Sequence, residues 1–242
     1  MRTFISDKTM DAENIKIVGH RGAAGYAPEN TLLSFQAAMD SGCDKVEMDI
    51  RVTKDGHAVV IHDATVNRTT NGKGPVSAKT LEEIKKLECS KEQKIPTLRE
   101  VIDLCKNRIE LIVELKEFGA SRAVSEILEE NGLTGSSLVI SFHAGIVGEM
   151  KETNPKIKLG LLFKKPLFKN KLENIWKVAE EVPLDYICPR SDSLNRKMVS
   201  EAHAKGLKVF AYNVNSKDIF RKMAEIGVDE ICTDYPKLFT QS

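Results

Sequence analysis

Eight short runs rich in valine and isoleucine recur along this 242-residue chain, and segments of helical period separate them. The runs are Ile15–Gly19, Lys45–Ile50, Glu110–Leu115, Ser137–Phe142, Lys158–Phe163, Asp185–Pro189, Lys208–Ala211 and Glu230–Thr233. Between them, Leu32–Met39, Ala120–Glu129, Ile146–Lys151, Leu172–Val182, Lys197–Lys205 and Ser216–Ile226 read as amphipathic helices. Near-continuous apolar strands, each followed by such a helix, belong in a parallel sheet whose faces the helices cover. Eight units predict a closed (β/α)8 TIM barrel, since an open doubly wound sheet usually has fewer strands, and no GxGxxG follows the first run. The chain from Ile50 to Glu110 is far longer than one helix needs. It predicts a small insertion after strand 2, roughly residues 51–109, with a hairpin, a Gly-rich loop at Asn71–Gly74, and helices near Leu81–Leu87 and Leu98–Lys106. No repeat or low-complexity linker interrupts the pattern, so residues 1–242 read as a single domain.

A chain of this length can bury a large core without disulfides. Its 36 Lys and Arg nearly cancel its 35 Asp and Glu, which argues against a nucleic-acid binder, where a basic stripe is the rule. Cys43, Cys89, Cys105, Cys188 and Cys232 are odd in number and form no CxxC pair, as small core residues in a reducing compartment would. Residues 1–14 hold Arg2, Asp7, Lys8, Asp11 and Glu13 and no apolar run of signal-peptide length, and no stretch reaches transmembrane length. The expectation is a cytoplasmic enzyme.

Catalytic groups in such barrels sit at the C-terminal ends of the strands. There the sequence places His20-Arg21 after strand 1, Glu47 and Asp49 on strand 2, Glu114 and Lys116 on strand 3, and Tyr212-Asn213 after strand 7. Charges inside apolar strands are costly unless paired or metal-bound. Glu47 and Asp49 are two apart and share a face of their strand, and Glu114 on the neighbouring strand can point to the same spot. Three carboxylates that close repel one another unless a cation sits between them. An all-oxygen set suits one hard divalent ion, Mg²⁺ or Ca²⁺. Pairing of each carboxylate with a nearby Arg or Lys is the other way to satisfy them.

His62 is placed by a turn. Asp55-Gly56 is a two-residue hairpin signal flanked by alternating apolar residues. With 55 and 56 at its centre, Asp49 faces His62 directly across the pair, while a different turn type would shift this register by one residue. Two imidazoles, His20 and His62, suit a reaction that needs one base and one acid near neutral pH. Arg21 and Lys116 can hold phosphate oxygens, pair with the carboxylates, or do both. The Asn71-Gly72-Lys73-Gly74 stretch lacks the strand and helix of a P-loop and reads as a flexible loop from which Lys73 could reach the site. His57, His143 and His203 read as solvated or locally bonded.

In order and spacing, His20-Arg21-Gly22, Pro28-Glu29-Asn30-Thr31, Glu47-Met48-Asp49, Thr53-Lys54-Asp55-Gly56 and His62-Asp63 resemble the glycerophosphodiester phosphodiesterase family. Asn67-Arg68-Thr69-Thr70, Gly72–Pro75, Pro96-Thr97-Leu98, Glu114-Leu115-Lys116 and Thr233-Asp234-Tyr235-Pro236 extend the resemblance from Val18 to Pro236. It implies a barrel of the phosphatidylinositol-phospholipase-C-like type with one bound divalent cation. His20 and His62 would be the acid/base pair, Glu47, Asp49 and Glu114 the metal ligands, and Arg21 and Lys116 the phosphate contacts. The insertion would cover the glycerol. Glu29 and Asn30 would brace the site around His20, with Asn30 or Thr31 capping the first helix. Where family members often carry Trp, this chain has Tyr212, which keeps an aromatic face and adds a hydroxyl.

The resemblance implies hydrolysis of a small glycerophosphodiester to glycerol 3-phosphate and an alcohol. By relation to phospholipase C, the substrate's own hydroxyl would attack first to give a cyclic phosphate. A lysophospholipase D is the neighbouring reading, with Leu161, Leu162, Phe163, Pro166, Leu167 and Phe168 among Lys164, Lys165 and Lys169 as the only candidate lipid contact. A silent barrel that binds phosphorylated ligands is the alternative of another class, and it would be favoured by a missing histidine or carboxylate. Oligomeric state is not legible.

Overall fold

The computed structural model describes residues 14–164 and 169–240. Eight parallel strands close into a barrel: β1 (Lys16–Gly19), β2 (Lys45–Val52), β4 (Glu110–Leu115), β5 (Leu138–Ser141), β6 (Lys158–Phe163), β7 (Tyr186–Pro189), β8 (Lys208–Ala211) and β9 (Glu230–Thr233). The ring shuts where β1 pairs with both β9 and β2, as in Gly19 opposite Thr233 and Val46. The short strand β3 (Ala58–Val60) is antiparallel to β2 and hangs outside the ring. Around the barrel lie α1 (Leu32–Asp40), α4 (Ala120–Glu130), α5 (Ala144–Thr153), α6 (Lys169–Glu181), α7 (Arg196–Ala204) and α8 (Lys217–Ile226). The expected strands and helices are all present among the described residues, with ends shifted by a few positions.

Strand alternation divides the buried residues into two cores. Outward-facing Val46, Met48, Ile50, Val113 and Val139 pack under the helices with Phe35 and Leu128. Inward-facing Val18, Ile112, Leu138, Ile140, Leu162, Tyr186, Cys188, Phe210 and Cys232 fill the barrel. Gly160 is part of that filling. A Cβ there would stand 2.8 Å from Cys188 Sγ and 3.0 Å from an Ile140 methyl carbon, so the position takes nothing larger. On β4 the inward row runs from Ile112 to Glu114, and on β2 the inward row is Lys45, Glu47 and Asp49, so the packed interior ends in a polar site.

The stretch between β2 and β4 holds β3, α2 (Leu81–Lys86) and α3 (Leu98–Cys105), and it has a small core of its own from Val59, Ile61, Val66, Val76, Ile84 and Ile95. Its hairpin differs from the expected one. Gly56, at φ 83, donates to Thr53 O, and Thr53 donates to His57 O, so the loop has three residues, Lys54, Asp55 and Gly56, rather than two. Such a loop is a type I turn closed by a left-handed glycine. The register moves by one: Ile50 faces Val60, and Ile61 donates to Asp49 O. Asp49 therefore stands opposite Ile61, not His62.

All five cysteines are free. No described helix is long and apolar enough to cross a membrane. In the stretch considered for lipid contact, Leu161 packs in the outer core, Leu162 in the barrel interior, and Lys164 is exposed. Lys165, Pro166, Leu167, Phe168 and the side chain of Lys169 lie outside the described residues, as do residues 1–13.

Candidate active site

Backbone geometry after β1 builds one wall of the site. Arg21 (φ 50) and Gly22 (φ 82) both take left-handed conformations, and a Cβ on Gly22 would meet Ser34 Oγ at 2.4 Å. Only glycine fits there. The turn points the Arg21 N–H at Glu47 Oε2, 3.0 Å away, and the Arg21 side chain back over β2. Thr31, not Asn30, caps α1, accepting from Ser34 N. Asn30 is left to grip Asp49: its amide donates to Asp49 Oδ2 at 2.7 Å and its carbonyl accepts from Asp49 N.

Glu47, Asp49 and Glu114 are all buried, and one oxygen of each lies within 4.8 Å of the others. At that spacing each ionised pair repels by about 3 kcal/mol at an effective dielectric of about 20. The electrostatics reflect the crowding. Burial and the charge of Asp49 push Glu47 up, and the same two causes push Glu114 up to about 8. Asp49 goes the other way: burial opposes its ionisation, but Lys116, Arg21 and His62, with the Asn30 bond, outweigh it. Lys116 Nζ donates to Glu114 Oε1 at 2.6 Å and lies 3.0 Å from Asp49 Oδ1. Arg21 Nε lies 3.2 Å from Asp49 Oδ2. These cations do not satisfy the trio. Among the described residues Asp49 Oδ1 is buried without a directed hydrogen bond. Three buried carboxylates this close, faced by only two cationic side chains, form an all-oxygen donor set that fits a hard divalent cation.

Each histidine is tied at Nδ1 to a carboxylate: His20 to Asp234 at 2.6 Å and His62 to Asp63 at 2.7 Å. Asp234 is itself held by the side chain of Asn215, and the Asn213 amide nitrogen lies 2.8 Å from His20 Nδ1. A carboxylate on Nδ1 fixes the tautomer and leaves Nε2 for proton transfer. His62 reaches the site although the register argument for it fails. β3 stops at Val60, the chain bends away from the ladder, and Arg51 Nε donates to His62 O. His20, Arg21, Glu47, His62, Glu114 and Lys116 then line one cavity of about 220 Å³, whose far wall is Ile140, Phe142, Leu162, Phe210 and Tyr212.

Several expected roles move. Glu29 touches the site around His20 through Arg21, which it pairs at 2.8 Å, and it also pairs with Arg68. Asn30 braces Asp49, and His20 rests on Asp234. The Tyr212 hydroxyl donates to Phe163 O at 3.2 Å, so only its ring, set edge-to-face on Phe142, meets the cavity. Lys73 is exposed and outside the cavity lining. His203 pairs with Asp229 at 2.9 Å, and the His143 ring is 6.2 Å from that of Phe118. Sequence reasoning gave no role to Asp63, Arg68 or Asp234. All three sit inside the motifs that carry the resemblance, but their partners are remote in sequence or set by a bend.

A (β/α)8 barrel whose C-terminal mouth joins a cation-ready carboxylate trio to two carboxylate-braced imidazoles defines a hydrolase-like phosphate site. Residues 20–238 match the glycerophosphoryl diester phosphodiesterase family, and the chain belongs to it. It is 34% identical over 234 residues to a glycerophosphodiester phosphodiesterase of Caldanaerobacter subterraneus, covering 91% of this chain and 94% of that one. A phosphodiesterase of Oleispira antarctica, solved with the product sn-glycerol-3-phosphate, is similar in structure (TM-score 0.83, 28% identity, 93% of this chain and 95% of that one). So is a glycerophosphodiester phosphodiesterase of Agrobacterium tumefaciens (TM-score 0.82, 28% identity, 93% and 98%).

Proposed function

We propose that the chain hydrolyses small glycerophosphodiesters to sn-glycerol 3-phosphate and a free alcohol, with one divalent cation, Mg²⁺ or Ca²⁺, held by Glu47, Asp49 and Glu114. The observation that carries this reading is that Glu47 and Glu114, with Asp49 buried within 4.8 Å of both, line one cavity together with His20 and His62. When bound, the cation would neutralise phosphate charge and polarise the phosphoryl group. Arg21 and Lys116 hold phosphate oxygens and balance charge that grows in the transition state. One imidazole removes the proton of the attacking substrate hydroxyl through Nε2 and the other delivers a proton to the leaving alcohol oxygen, giving a cyclic phosphate that water opens to glycerol 3-phosphate with the two proton roles exchanged, and Asp234 and Asp63 stabilise whichever ring is cationic. The ring of Tyr212 and its neighbours Phe142 and Leu162 give the substrate's carbon skeleton an apolar wall. Five free thiols accord with a reducing cytoplasm.

Release of glycerol 3-phosphate from glycerophosphocholine tests the reading. Wild type is expected to lose release with chelator and regain it with Mg²⁺ or Ca²⁺, and Glu47→Gln is expected to fall by at least about 10²-fold. No release by wild type with any divalent cation overturns the assignment.

A further inference from the structure

The exposed Arg68 belongs to the segment inserted after β2, yet its guanidinium meets two carboxylates that serve different parts of the site. On one side Nε donates to Asp63 Oδ2 at 2.8 Å and Nη2 to Asp63 Oδ1 at 3.1 Å. On the other, Nη1 donates to Glu29 Oε2 at 2.7 Å and Nη2 to Glu29 Oε1 at 2.8 Å. Asp63 holds His62 Nδ1 at 2.7 Å, and Glu29 holds Arg21 Nη1 at 2.8 Å. The contacts form an unbroken chain, His62–Asp63–Arg68–Glu29–Arg21, which spans the hairpin arm and the loop after β1.

We propose that Arg68 is a positioning residue that fixes His62 and Arg21 relative to each other, so that the imidazole and the phosphate-binding guanidinium move as one unit. The proposal rests on the phosphodiesterase reading above. Its physical basis is the fork of the guanidinium. Four of its five N–H donors are spent on two carboxylates in paired geometry, which a lysine ammonium cannot reproduce. Isolated exposed ion pairs contribute little, but a network of paired Arg–carboxylate contacts has the directionality to set angles. Asp63 and Glu29 share no bond with each other among the described residues. The hydrogen-bonded path between them runs through Arg68.

A double-mutant cycle in two backgrounds tests this. Glycerol 3-phosphate release from glycerophosphocholine and p-nitrophenol release from bis(p-nitrophenyl) phosphate are both measured, with unfolding midpoints as a check on folding. Arg68→Ala is expected to lower kcat by about 10²-fold and to change KM far less. Arg68→Lys is expected to fall with it, because the charge remains but the fork is gone. With Arg68 present, the combined loss in Asp63→Asn/Glu29→Gln should fall short of the product of the single losses by about tenfold. Without Arg68 the shortfall should vanish. Independent single losses, a shortfall that persists in Arg68→Ala, or wild-type activity in Arg68→Lys would each overturn the proposal. A wrong substrate assignment shows differently: glycerol 3-phosphate release is absent while the coupling is read on the nitrophenyl ester. Should Arg68→Ala fail to fold, Arg68→Lys carries the second background.

Discussion

His20 and Asp234 form an ion pair whose two members are displaced in opposite directions. Burial works against the charge on His20, but the bond to Asp234 and the nearby charge of Glu47 raise it above its ordinary 6.5. Burial likewise works against Asp234, but its bonds to His20 and Asn215 hold it below its ordinary 3.8. A raised histidine adds stability that is whole below 6.5 and lost as pH rises through its folded value. A depressed aspartate adds stability that is whole above 3.8 and lost as pH falls through its folded value. The pair therefore stabilises most between 3.8 and 6.5 and less on either side. The difference in Tm between wild type and Asp234→Asn, followed across pH in chelator-treated protein, should peak in that window. A difference that stays flat would mean the pair adds no pH-dependent stability. His20 was legible in the sequence, because it follows a strand at the catalytic end. Asp234 lies 214 residues further on, and no local signal joins the two.

Helix caps and turns show how far local chemistry reaches. Thr97 accepts from Glu100 N while the Glu100 carboxylate accepts from Thr97 N, a capping box that starts α3. The same carboxylate also takes the Lys85 ammonium from α2, joining the two helices of the insertion. Thr97→Ala should cost about 1 kcal/mol in denaturant unfolding, the usual value of such a cap. A loss below a few tenths would mean that the box is redundant with packing. Both helices were expected from the sequence, near Leu81–Leu87 and Leu98–Lys106, and form at Leu81–Lys86 and Leu98–Cys105. The hairpin was only half legible: Asp55-Gly56 marked a turn correctly, but two-residue and three-residue loops both accept this pair. Backbone bonding by Thr53 and His57 decides for the longer loop and shifts the register.

At the scale of the whole barrel, the floor carries a buried ion pair of its own, opposite the mouth. The first residues of β2, β9 and β7 meet there: Lys45 Nζ and Tyr186 Oη both donate to Glu230 Oε1 at 2.8 Å. All three residues are buried, and Glu230 Oε2 has no hydrogen-bond partner among the described residues. Removing one partner of a buried pair strands the other charge, so Lys45→Met should lose about 3–5 kcal/mol. Lys45→Met/Glu230→Gln should recover much of that, since the amide still accepts from Tyr186 and no charge is left alone. Equal losses in the single and double variants, read by denaturant unfolding, would show that packing rather than charge sets the cost. The chain's own pattern determined the barrel, because eight apolar strand runs with helix-period segments between them are local properties of the sequence. It also determined which ionisable groups crowd the catalytic end, since charges two apart on an apolar strand must share a face. Only the tertiary structure decided what holds those groups: Asp234 under His20, Asp63 and Arg68 behind His62, Asn30 on Asp49. His20 and Asp234 stand 214 residues apart and meet only once the ring has closed, while Asp63, though next to His62, is set on it by the bend after β3 and by the Arg68 that grips it.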